Sequence, residues 1–118
     1  MRIPEQATQI RRMLDSRLRQ LGSNQPILAA SLAQVQKTCG QPTCACHHGG
    51  RKHLAYHLTL KEDGKTRTIY VPVDLLEDVR TWVAEYQRLK ALLAEISQLT
   101  LALVKNHVQE RRRKRGRP

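Results

Sequence analysis

Apolar residues in the first 22 positions fall at Ile10, Met13, Leu14, Leu18 and Leu21, with arginines between them. Steps of three and four put these side chains on one face of a helix, so the pattern predicts an N-terminal helix within residues 1–22. Gly22-Ser23-Asn24-Gln25-Pro26 then breaks it. Residues 27–38 are apolar and small at Ile27, Leu28, Leu32 and Val35, which suits strand or helix; a strand near Ser31–Lys37 is the favoured reading. From His53 to Leu60 apolar and polar positions alternate. Lys61-Glu62-Asp63-Gly64-Lys65 carries the Asp-Gly signal of a tight hairpin, and residues 66–71 supply the returning strand before Pro72 ends it.

Asp74 with Glu77 three residues on reads as a capping box. Neither Gly nor Pro recurs after Pro72 until Gly116, so a helix of about 35 residues is expected, over 74–110. Its apolar positions step alternately by four and three, through Leu75, Val79, Trp82, Tyr86, Leu89, Leu93 and Ile96 to Thr100 and Leu103. Leu76 and Val83 widen the stripe at the front, Leu92 and Leu99 at the back. This seven-residue repeat predicts a coiled-coil homodimer. The alternative is a helical hairpin bent near Ser97-Gln98 and packed on the first helix. The expected fold class is therefore α+β: an N-terminal helix, an antiparallel β unit over 27–73, a long helix, and a disordered basic tail over 111–118.

Charge changes the picture of the tail. The 118 residues hold 21 Lys plus Arg against 10 Asp plus Glu, a net charge of +11, and the isoelectric point is about 10.3. Arg111, Arg112, Arg113, Lys114, Arg115 and Arg117 lie in the last eight positions, and without those six the charge falls from +11 to +5. Such a segment gains affinity for polyanions by releasing condensed counterions, so DNA is the expected partner. No apolar run approaches the roughly 18–20 residues that span a bilayer, and the first residues lack the apolar stretch of a signal peptide. A cytoplasmic, nucleoid-associated protein without membrane attachment is the expectation.

Residues 39–53 read Cys39-Gly40-Gln41-Pro42-Thr43-Cys44-Ala45-Cys46-His47-His48-Gly49-Gly50-Arg51-Lys52-His53. Zinc prefers four tetrahedral thiolate or imidazole ligands, and the Gly and Pro residues supply turns for folding around one ion. Three cysteines within eight residues do not make a disulfide framework, and Cys-x4-Cys-x-Cys is not the Cys-x-x-Cys of a redox helix start. Cys39, Cys44, Cys46 and His53 are the expected ligands of a structural Zn2+, with His47, His48 and His57 competing for the fourth place. A closed Cys3His site leaves no coordination position for catalysis.

Several short motifs carry a resemblance: Ala30-Ser31-Leu32, Cys39-Gly40-Gln41-Pro42-Thr43-Cys44-Ala45-Cys46, His53-Leu54-Ala55-Tyr56, Gly64-Lys65 and Val71-Pro72. Over about residues 30–100 the chain resembles a small, functionally uncharacterised prokaryotic domain family often met beside mobile-element genes. It departs from that family's pattern at Ala30 for Gly, Gln41 for Lys, and Leu54-Ala55 for Gly-Pro. The resemblance implies a zinc-bound β-hairpin with a long helix and supplies no activity. At the C-terminus, Arg115-Gly116-Arg117-Pro118 resembles the core of an AT-hook. There Gly116 lets the backbone approach the floor of a minor groove, and Arg115 and Arg117 lie along it; narrow A·T tracts attract arginine. The competing reading is an unspecific polybasic tail.

The expected function is that of an architectural or regulatory DNA-binding accessory of a mobile element or phage. An adaptor for a recombinase-type enzyme or a ribonucleoprotein is the second reading. RNA single strands are disfavoured, because Trp82, Tyr56, Tyr70 and Tyr86 are the only Trp, Tyr or Phe rings and two of them lie on the helix seam. No nucleophile–base signature appears, and no catalytic residue is expected.

Overall fold

The computed structural model describes residues 1–116. In chain order these form α1 (Ala7–Arg19), β1 (Ser31–Lys37), a 3-10 turn (Ala45–His47), β2 (His53–Glu62), β3 (Lys65–Val71), a second 3-10 turn (Val73–Leu75) and α2 (Leu76–Arg115). The α+β architecture agrees with the sequence pattern. The chain divides into a sheet unit, residues 25–86, and a helical unit made of residues 1–24 and 87–118.

In the sheet unit three antiparallel strands lie in the order β1-β2-β3. Register follows from the turn. Asp63 (φ 53°) and Gly64 (φ 78°) are both left-handed, as a two-residue hairpin requires, and Glu62 pairs with Lys65. Alternation then sends Tyr56, Leu58 and Leu60 to one face, where β1 adds Leu32 and β3 adds Val71. Leu76 and Val79 from the first turns of α2 cover that face with Trp82 and Val83, and Ala30 and Leu28 close the edge. The Leu28 N–H donates to the Trp82 carbonyl (3.1 Å), tying the segment before β1 to the helix. Helix α2 does not begin on the expected capping box. The chain enters through the 3-10 turn Val73–Leu75, and Glu77 turns toward Arg80 (3.2 Å).

The helical unit sets α1 antiparallel to the second half of α2. Three polar contacts fix the register: Asn106 donates to the Glu5 carbonyl (2.8 Å), Arg17 pairs with Glu95 (2.7 Å), and Arg88 donates to the carbonyls of Gln20 (2.9 Å) and Gly22 (3.0 Å). Arg88 thereby places a cation on the C-terminal end of α1, where the helix dipole favours it. Ile10 (2 % exposed), Leu99 (0 %) and Leu92 are buried.

Two expectations change here. The stripe from Leu75 to Leu103 is not one seam. Val79 and Trp82 serve the sheet core, while in the helical unit the buried positions are Leu92 and Leu99, and Leu93 is exposed. No break interrupts α2 at Ser97-Gln98. The helix also runs past residue 110 to Arg115, so five residues assigned to a disordered tail are helical. Nothing local stops it before Gly116, and Arg112, Arg113, Lys114 and Arg115 suit the negative end of the helix dipole.

Candidate metal centre and basic unit

The loop between β1 and β2 gathers Cys39, Cys44, Cys46 and His53. Cys39 follows the end of β1, Cys44 and Cys46 flank the start of the 3-10 turn, and His53 opens β2 opposite Lys37. Gly50 makes the reversal possible. Its N–H donates to the Ala45 carbonyl (2.8 Å), and a Cβ there would sit 2.6 Å from that same oxygen. Lys52 Nζ donates to the Cys46 carbonyl (2.6 Å), closing the loop from its far side.

The four ligand atoms all lie within 4.8 Å of one another. Cys39 Sγ and Cys46 Sγ are 3.6 Å apart, and Cys44 Sγ is 3.4 Å from His53 Nε2. A tetrahedron with metal–ligand bonds of about 2.0–2.3 Å has edges of about 3.3–3.8 Å, so these spacings already suit one small ion. The Cys39 N–H donates to Cys46 Sγ (3.3 Å). The Cys44 thiol is lowered to about 6, first by the Cys46 backbone, then by His53 and the other two thiols. At Cys39 the Gln41 backbone acts to lower the pKa, but burial and the Cys44 and Cys46 thiols outweigh it and push it up. Cys46 is buried, and His53 is exposed at the rim.

The competing histidines are engaged elsewhere. His47 Nε2 lies 2.6 Å from the Cys39 carbonyl and His48 Nε2 3.1 Å from the Pro42 carbonyl; a carbonyl only accepts, so both nitrogens carry the hydrogen. His57 sits within β2 and meets Tyr70 edge-on, ring centroids 6.4 Å apart. His53 alone among the candidates joins the three sulfurs.

The basic residues are distributed unevenly between the units. The helical unit holds fourteen of the 21 Lys and Arg and four of the ten acidic residues, net +10; the sheet unit holds seven and six, net +1. Arg111, Arg112, Arg113, Lys114 and Arg115 project from the last turns of α2, all exposed, and Arg113 pairs with Glu110 (3.6 Å). Gly116 donates its N–H to the Arg112 carbonyl (2.8 Å), and Arg117 lies outside the described residues. Exposed Arg11, Arg12 and Arg19 of α1 and Lys105 of α2 belong to the same unit and were not picked out from the sequence. Counting charge per predicted element, rather than per chain, is the signal that finds them.

These features define a small α+β protein with a Cys3His cluster that could hold a metal ion, beside its sheet, and a basic helical pair. It belongs to the family described as a domain of unknown function (DUF6788), which matches residues 10–81. The match begins within α1 and takes in the whole cysteine–histidine cluster, a different span from the 30–100 suggested by the motifs. Comparison with curated proteins and with solved structures gives no match. None of the described helices is long and apolar enough to cross a membrane.

Proposed function

We propose that this is a DNA-binding accessory protein, without chemistry of its own, whose helical unit engages the duplex and whose Cys3His cluster holds a structural Zn2+. The uneven charge carries this reading. A net +10 on one helical pair, against +1 on the sheet unit, is the footprint of a polyanion partner rather than of general solubility. Three cysteine sulfurs and one imidazole within 4.8 Å of one another suit zinc, and four protein ligands would close the site. Arg115-Gly116-Arg117-Pro118 then adds a minor-groove hook for A·T-rich DNA where α2 ends, and a mobile element or phage is the setting proposed for it.

A second reading is supported by the sheet unit. Its near-neutral surface exposes Ile69, Tyr70 and Val73, which suits an adaptor that docks a recombinase-type enzyme while the helical unit holds nucleic acid. Competition between A·T-rich and G·C-rich duplexes at fixed salt tests the main reading. The hook predicts preference for A·T and its loss in Gly116→Glu. Alanine at Arg111 and Arg112 should weaken both duplexes alike and lower the salt slope by roughly 1–2 units. Equal binding to both duplexes removes the hook, and no salt-dependent binding at all removes the DNA reading.

A further inference from the structure

Helix α2 carries a second apolar stripe that α1 leaves uncovered. Leu93 is 56 % exposed, Leu101 51 %, Val104 55 % and Val108 41 %. Leu101, Val104 and Val108 stand about 140–200° around the helix from buried Leu99, on the side away from α1. With Ala94 and Ser97 they form a run at 94, 97, 101, 104 and 108, stepping three and four, the spacing of a coiled-coil seam. Arg111 and Arg115 continue the same steps. From Ala91 to Val104 the one charged residue is Glu95, and it is turned to Arg17. The outward face is therefore uncharged for nearly four turns, in a chain that is 26 % charged.

We infer that this face packs against the same face of a second copy, antiparallel, about a two-fold axis at Leu101. The stripe is self-complementary in that direction. Leu101 meets Leu101 of the second copy, and Val108 stands over its Ala94, large against small. Arg111 and Arg115 come opposite Ala91 and Gln87, which are uncharged. A parallel pair would instead hold two sets of five cations about 10 Å apart, within one Debye length. Area fits as well. The four half-exposed side chains offer on the order of 350 Å2 of apolar surface per copy, within the range of the largest patch on a typical monomer, which is often functional. With Ala94, Ser97, Gln98 and Lys105 the pair buries on the order of 1,200 Å2, where stable interfaces begin.

The antiparallel arrangement has a consequence that rests on the DNA reading above. Arg113 lies twelve residues from the axis, so the two basic segments are separated by 24 residues of helix, about 36 Å. That matches the roughly 34–36 Å between successive turns of a B-DNA groove, so both segments of one dimer reach one face of a duplex.

The test uses the full zinc-loaded chain. Sedimentation equilibrium of wild-type protein should give a dimer, and Leu101→Glu with Val104→Glu a monomer of unchanged helix content, because those side chains do not serve the α1 face. For orientation, a short bis-maleimide should join Ala94→Cys to Val108→Cys in a mixture and leave Val108→Cys alone at the wild-type background. A wild-type monomer at about 100 µM overturns the seam and leaves the face to a different protein. Efficient crosslinking of Val108→Cys to itself overturns the antiparallel direction. A dimer that meets both criteria and shows no salt-dependent DNA binding sustains the seam and refutes the DNA reading instead.

Discussion

Leu99→Ala tests which stripe of α2 is structural. Leu99 is fully buried and lies in α2 between the contacts Arg17–Glu95 and Glu5–Asn106 that hold α1. Truncation removes three methyl or methylene groups, worth about 2.4 kcal/mol of transfer energy. A residual cavity on the order of 50 Å3 adds about 1.2 kcal/mol, for a total of about 3–4 kcal/mol. Urea unfolding followed by far-ultraviolet circular dichroism at low protein concentration should show this as a lower midpoint with little change in slope. The loss should not depend on protein concentration, because the partner helix belongs to the same chain. Leu93→Ala, six positions away and 56 % exposed, should cost less than about 1 kcal/mol in the same assay. The reverse order, with Leu93→Ala costly and Leu99→Ala mild, would refute the packing of α1 on the Leu92–Leu99 face and restore the single seam through Leu89 and Leu93.

The metal centre yields three further expectations. His53→Ala should reduce bound metal from about one ion per chain to well below that, while His47→Ala and His48→Ala retain it, as measured by elemental analysis after gel filtration; loss in all three variants alike would contradict the ligand assignment. Gly50→Ala should disturb the loop and weaken metal retention against a chromophoric chelator, because its Cβ would collide with the Ala45 carbonyl, and unchanged retention would show that the reversal tolerates it. The Cys44 thiol lies below its ordinary value at about 6, so the metal-free fold gains stability from the thiolate as pH rises from about 6 toward the ordinary thiol range, and gains none below. Protons compete with the metal for all four ligands, so retention should fall with falling pH and its release midpoint should lie below the Cys44 value; a midpoint of release above neutrality would contradict this.

Much of this protein was decided locally, and those parts were legible in the sequence. Asp63-Gly64 fixes a two-residue turn, and the turn fixes which residues of β2 and β3 face the core. The cysteine spacing and the glycines around it define a loop able to hold a metal, because the four candidate ligands lie within one short excursion between two strands. The choice of His53 over His47, His48 and His57 was not local. It depends on where β2 starts and on which carbonyls the other imidazoles reach. The fate of α2 was least legible. Apolar residues occupy more than one side of that helix, so spacing alone supports the Leu89–Leu93 stripe, the Leu92–Leu99 stripe and the Leu101–Val108 stripe. Only the docking of α1, more than 60 residues distant in the chain and held by Arg17, Arg88 and Asn106, selects the face that is buried. Composition likewise set the net charge at +11, but the partition into a basic helical unit and a near-neutral sheet unit exists only once residues 1–24 fold back on the second half of α2.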